Sequence, residues 1–283
     1  MVYIFAAHKG EVEHLIKKLS LGKRKTSFPF LQYEGEEILL TITGQGQINA
    51  SVSVAATLQE EKAKRGDLLL SLGSAAAILR RNRAAEDLLG RWFWIQKLEQ
   101  QRTGRCFYPD LLYKLDFPEA GLLTGDKILE IDSMGRRDTV SEGHSDSKED
   151  IVSEGYSDSK EDIVSKEFSG FEKLLLYDME SAAVFQAANF YLAPEDFFFL
   201  RCVTDFGVSP GEETDSFSSS SLLWKEKMQS LLQKEEEKVL RLIRFLQEKS
   251  IERRKEEEEE TVFQQQLQSL SESLHCSFVM EKQ

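Results

Sequence analysis

Four carboxylates stand where apolar strands stop. The run Lys173-Leu174-Leu175-Leu176-Tyr177-Asp178-Met179-Glu180-Ser181-Ala182-Ala183 is a strand that ends on two acids and passes at once into a small-residue helix. Phe197-Phe198-Phe199-Leu200-Arg201-Cys202-Val203-Thr204 ends on Asp205, and the first strand, Val2 to Ala7, is followed by Glu11 at the start of a helix. Ligands of open α/β sheets bind outside the carboxyl ends of strands. Acids gathered there can move protons and stabilise a developing positive charge. Arg201 is placed to orient neighbouring carboxylates. Each acid also has a plainer reading. Glu11 and Glu180 suit a first helical turn through the dipole, and Asp205 suits a cap or turn.

The elements that must bring these residues together follow from periodicity. After the first strand, Val12, Leu15, Ile16 and Leu19 form one helical face. Residues 36–43 read as a strand closed by Thr43-Gly44-Gln45-Gly46-Gln47, and an Ala-rich helix is expected over 48–64. Asp67 to Leu72 is a buried strand ending at Gly73-Ser74-Ala75-Ala76-Ala77, and further strands are expected over 91–98 and 121–131. Pro109 and Pro118 mark loops between them. Strand–turn–helix repetition of this kind implies an α/β fold, a three-layer sandwich with a central mixed sheet.

The net charge of −13 over 283 residues is local. Residues 140–163 hold eight acids and two lysines, net −6, and Glu256 to Glu260 adds −5, so these two stretches supply −11 of it. Without clustered Lys and Arg, a nucleic-acid surface is excluded. Cys106, Cys202 and Cys276 lack metal-ligand spacing, Cys202 reads as a small core residue, and the four histidines are scattered. The first strand is too short for a signal peptide or membrane span, so a soluble cytoplasmic protein without a membrane partner is expected.

Residues 140–151 and 152–163 are a direct repeat of period twelve, Val-Ser-Glu-Gly-His/Tyr-Ser-Asp-Ser-Lys-Glu-Asp-Ile. Two copies are too few for a solenoid, and the composition suits a flexible acidic insert over 139–165. Beyond Asp205, the Ser-rich stretch 216–221 precedes a helical pattern. There Leu232, Val239 and Leu246 recur by heptads, with Leu242 and Ile243 between them. The charged run from Ile251 to Glu260 is expected to interrupt that helix, and Phe263, Leu267, Leu270 and Leu274 to form a second short one. The expected organisation is one domain over 1–249 and a charged helical tail over 250–283.

In sequence order these motifs resemble the purine nucleoside phosphorylase and nucleosidase superfamily, with methylthioadenosine/S-adenosylhomocysteine nucleosidases nearest. Asp178-Met179-Glu180 is similar to that family's Glu-Met-Glu ribose signature. Arg201-Cys202-Val203-Thr204-Asp205 is similar to its Arg-x-x-Ser/Thr-Asp stretch, and Gly73-Ser74-Ala75 to its Gly-Ser-Ala loop. Ala6 to Val12, the Gly44 turn and Gly121 to Asp126 complete the ordered matches. The resemblance implies cleavage of an N-glycosidic bond in a purine nucleoside or thio-nucleoside, with no metal or cofactor, by a homodimer. It makes Asp205 the general acid toward purine N7 and Glu11 the acceptor of a proton from water. Glu180 would grip the ribose hydroxyls, with Asp178, Met179 and Ser74 beside the sugar, and Arg201 would support the carboxylates. Ile128 falls where the family stacks an aromatic on the base. Ala76 and Ala77 replace two family glycines, which would store strain if either glycine used a positive φ. The physical logic is that of glycoside hydrolysis: positive charge builds on the ribose while the base departs. Water is preferred to phosphate as nucleophile, because the first loop offers no arginine and Glu11 would repel a dianion. A phosphorylase, or a non-catalytic nucleoside-binding scaffold, is the alternative.

Overall fold

The computed structural model describes residues 1–78, 86–109, 112–129, 174–207 and 222–273. Its strands are β1 (Val2–Ala6), β2 (Gly22–Lys23), β3 (Leu31–Gly35), β4 (Ile38–Ile42), β5 (Leu68–Ile78), β6 (Trp92–Gln100), β7 (Cys106–Phe107), β8 (Glu119–Thr124), β9 (Leu174–Asp178) and β10 (Phe197–Asp205). The α-helices among the described residues are α1 (Lys9–Lys18), α2 (Gln47–Glu60), α3 (Ser181–Ala188), α4 (Leu222–Leu232) and α5 (Glu236–Ser273).

Strand side chains alternate between faces, and the packing obeys that rule. Tyr3, Phe5, Leu69, Phe197 and Phe199 enter one apolar layer, covered by Ala50, Val54 and Leu58 of α2 and Ala183, Val184 and Ala187 of α3. Val2, Ile4, Leu68, Leu70, Phe198 and Leu200 enter the other, covered by Val12, Leu15 and Ile16 of α1 and Val239, Leu242, Ile243 and Leu246 of α5. The α/β fold has a mixed sheet with helices on both sides, as expected.

β1 lies parallel between β4 and β5, and β5 pairs in parallel with β10. From β10 the sheet continues through β6, β8 and β9, and β9 returns antiparallel to the far half of β5. Five strands therefore close into a ring, with β5 as the shared stave. The carboxyl ends of parallel β1, β4, β5 and β10 share one edge, which is where the acids were expected.

Several expectations shift. The strand after Asp67 does not stop at Gly73 but runs to Ile78. Its second half is held by β10 as far as Ala76 and by β9 from Ala76 to Ile78. Ala76 and Ala77 are thus extended strand and not positive-φ positions, so the lost glycines cost no strain. The helix expected over 48–64 ends at Glu60, and the strand expected over 121–131 ends at Thr124. The acidic run 256–260 does not break the C-terminal helix, because glutamate is a good helix former; α5 is continuous through it to Ser273. Phe263, Leu267 and Leu270 are exposed on that same helix. The repeat within 139–165, the Ser-rich stretch 216–221, Leu274 and Cys276 lie outside the described residues.

Candidate active site

Glu11 lies in the first turn of α1 and is buried. Its Oε1 accepts hydrogen bonds from the Ser74 amide at 2.8 Å and the Ser74 hydroxyl at 2.7 Å, and its Oε2 from the His8 amide at 3.0 Å. Oε1 is filled by its two donors, whereas Oε2 retains capacity for a further donor, such as a water. Gly73 permits this approach: a Cβ there would lie 3.3 Å from Glu11 Oε1.

Glu180 occupies the N-cap position of α3, but its side chain makes no capping hydrogen bond to that helix. Its Oε1 accepts from the Gly46 amide at 2.7 Å across 134 residues of sequence, and its Oε2 from the Met179 amide at 3.3 Å. Gly46 adopts φ 90°, a conformation favouring glycine, and this turns its N–H toward the carboxylate. Burial raises the Glu180 pKa from 4.5 to about 7. The charges of Asp178 and Glu11 push the same way, while the Gly46 amide and Arg201 oppose them.

Glu11, Ser74, Glu180 and Arg201 line one cavity with Phe5, Thr43, Ser71 and Val184. Its volume is ≈ 10 Å³, room for about one water. The structure therefore brings together Glu11, Glu180, Ser74 and Arg201, whereas Asp178, Met179, Asp205 and Ile128 are not among the cavity-lining residues.

Asp205 closes β10 opposite Ala76, past a bulge after Val203. Its carboxylate accepts from the Thr204 hydroxyl and the Gly207 amide, both at 2.9 Å. Met179 is held at its sulfur by the Gln45 side chain at 3.4 Å. Ile128 is 40% exposed, while the adjacent Leu129 is buried and packs with Ala76, Leu123 and Tyr177. The apolar contact beside Asp205's register partner is thus Leu129, one residue from the expected position. Asp178 is enclosed: its carboxylate accepts from Arg201 Nε at 3.0 Å, Thr124 Oγ1 at 2.8 Å, and the amide and hydroxyl of Ser181.

Sequence reasoning missed Thr43, Ser71 and Leu129, and it missed the Gly46 amide as the anchor of Glu180. The Gly44-Gln45-Gly46 turn was visible as a turn, but its partner lies on a distant segment. Glycine spacing alone does not reveal such a contact.

This architecture is the nucleoside phosphorylase/nucleosidase fold. The sequence matches no family model and no curated protein. Solved structures are similar in fold. The 5'-methylthioadenosine nucleosidase of Arabidopsis thaliana shares 17% identity over 87% of this chain and 95% of its own, at TM-score 0.57. The 5'-methylthioadenosine/S-adenosylhomocysteine nucleosidase of Neisseria meningitidis, solved with methylthio-immucillin-A, shares 17% over 82% and 95%, at TM-score 0.53. A futalosine hydrolase mutant of Helicobacter pylori shares 11% over 82% and 96%, at TM-score 0.51. No helix among the described residues is long and apolar enough to cross a membrane.

Proposed function

We propose that the protein hydrolyses the N-glycosidic bond of a purine nucleoside or thio-nucleoside. The observation that carries this reading is the pair of carboxylates, Glu11 and Glu180, facing one water-sized cavity beside Ser74 at the carboxyl ends of the strands. Glu11, held on both oxygens, accepts a proton from the attacking water, and Ser74 fixes its orientation. Glu180 binds the ribose hydroxyls and, as an anion, stabilises the cation that develops on the sugar. Asp205, at the end of the neighbouring strand, protonates the departing base, and the Leu129 cluster contacts the base. The fold shared with methylthioadenosine nucleosidases and futalosine hydrolase supports the same chemistry.

Phosphate is disfavoured as nucleophile. Arg201 is the cationic side chain lining the cavity among the described residues, and its five N–H donors are already engaged within the protein. We take the active form to be a homodimer; exposed Ile48 and Val52, one turn apart on α2, offer apolar surface for it. Light scattering at assay concentration checks that point.

The deciding experiment follows free-base release from a panel of purine nucleosides and 5'-thio-nucleosides, with and without phosphate. Release without phosphate, abolished in Asp205→Asn, is the expected result. Strict phosphate dependence selects a phosphorylase, and binding without release selects a scaffold.

A further inference from the structure

Asp178 and Glu180 are two residues apart, yet they meet different surroundings. Asp178 Oδ2 accepts from Arg201 Nε at 3.0 Å, from the Ser181 amide at 3.1 Å and from the Ser181 hydroxyl at 2.5 Å; Oδ1 accepts from Thr124 Oγ1 at 2.8 Å. Thr124 Oγ1 in turn accepts from the Ala182 amide at 3.1 Å. Arg201 spends its other donors on the Ser71 carbonyl and hydroxyl, the Leu200 carbonyl and the Ser181 hydroxyl, at 2.6 to 3.0 Å. The Arg201 and Asp178 side chains are 3% and 1% exposed. One closed network therefore joins β5, β8, β9, β10 and the first two residues of α3.

A carboxylate so enclosed has no route to a substrate. It does have a route to Glu180, which immediately precedes Ser181. Two free amides of the first turn of α3, those of Ser181 and Ala182, are satisfied through Asp178 and Thr124, so the direction in which α3 begins is set by this cluster. Glu180 lies at that start, tied on its far side to the Gly46 amide.

We propose that Asp178 is a positioning residue: clamped by Arg201, Ser181 and Thr124, it fixes the start of α3, holds Glu180 in the cavity and sets the charge environment there, without touching substrate. The inference rests on the nucleosidase reading only for what Glu180 does. The charged groups and the backbone donor acting on Glu180 are Asp178 on β9, Arg201 on β10, Glu11 on α1 and the Gly46 amide before α2. Replacing Asp178 by asparagine removes a negative neighbour and leaves Arg201 facing Glu180 with less compensation. The Glu180 proton should then leave at lower pH.

The test has one arm that needs no activity. In protein carrying ¹³C-labelled glutamate, with Glu180→Gln assigning the signal, Asp178→Asn is expected to lower the Glu180 midpoint by about one pH unit or more. Asp178→Glu, which restores the charge, should return it toward the wild-type value. In the activity arm, the acid limb of the base-release profile should move down by the same amount. An unmoved midpoint in folded Asp178→Asn overturns the proposal, as does a change confined to KM, which would put Asp178 on the substrate. Should Asp178→Asn not fold, Thr124→Val decides, since it loosens Asp178 without unpairing Arg201. Hydrogen exchange of the Gly46 amide, which reports Glu180 from another element, is then expected to quicken about tenfold; unchanged exchange overturns the proposal. If the wild type releases no base at all, the nucleosidase reading fails while titration and exchange still judge this one.

Discussion

The cluster around Asp178 and the cavity around Glu180 share a chain segment and differ in what they leave unfilled. Asp178 takes four hydrogen bonds from three side chains and an amide, with a guanidinium as counter-charge. Glu180 takes two from backbone amides, has no salt-bridge partner among the described residues, and faces a second acid across the cavity. A buried charge with every valence satisfied is a structural strut. One that is incompletely paired, with its pKa lifted to about 7, has the signature of a working site. The difference teaches that acidity near a strand end does not itself mark function; the unfilled hydrogen-bonding capacity does.

The largest effect that could break this contrast is on activity. Glu11→Gln should lower base release by roughly a thousandfold or more while leaving the melting temperature within a few degrees, because the amide keeps the size and loses the base. Retained activity would remove the cavity from the mechanism.

Arg201→Met tests the strut. With Asp178 left as a buried unpaired charge, stability should fall by about 3–5 kcal/mol in urea unfolding. A loss under about 1 kcal/mol would mean the cluster is not structural.

Glu180→Gln sharpens the other side. A folded-state value near 7 against the ordinary 4.5 means the folded protein holds a proton that the unfolded chain has released. Folding stability from this residue therefore falls as pH rises from about 4.5 to about 7, and stays reduced above that. The amide should make the protein more stable at pH 8, by at most about 3 kcal/mol, and no more stable at pH 4. Equal melting differences at both values would contradict the assignment.

Gly46→Ala should cost about 1–2 kcal/mol, since alanine disfavours φ 90°, and should raise KM by loosening Glu180. The smallest effect lies far from both regions. His14 is buried on α1 with neither ring nitrogen hydrogen-bonded; burial lowers its pKa, opposed by the charge of Glu236. Below pH 6.5 the unfolded chain takes up the proton first, so stability falls as pH drops. His14→Leu should recover roughly 1 kcal/mol at pH 5.5 relative to pH 8, read as a melting shift.

Much of the scaffold is legible in the sequence because it is written locally. Near-continuous apolar runs in 2–6 and 197–204, and the stripe Val12, Leu15, Ile16, name buried strands and a helix from short-range sequence alone. Leu232, Val239 and Leu246 are all buried, but Leu232 closes α4 while Val239 and Leu246 lie on α5, so the heptad expected of one helix is split by the turn at 233–235. Boundaries were less legible where pairing overrides composition. Residues 73–77 look like a loop by their glycine and alanine content, and become strand because β10 pairs with 73–76 and β9 takes over from 76 to 78.

By itself, the sequence determined that acids stand at strand ends and that Glu11 and Glu180 begin helices, since backbone sterics and side-chain periodicity act within a few residues. Tertiary structure decided which acid is spent on structure and which is left open. That choice depends on donors brought from Thr124, Arg201 and Gly46, and on Ser71 accepting from Arg201, whose distance in space is set by sheet closure and not by their place along the chain.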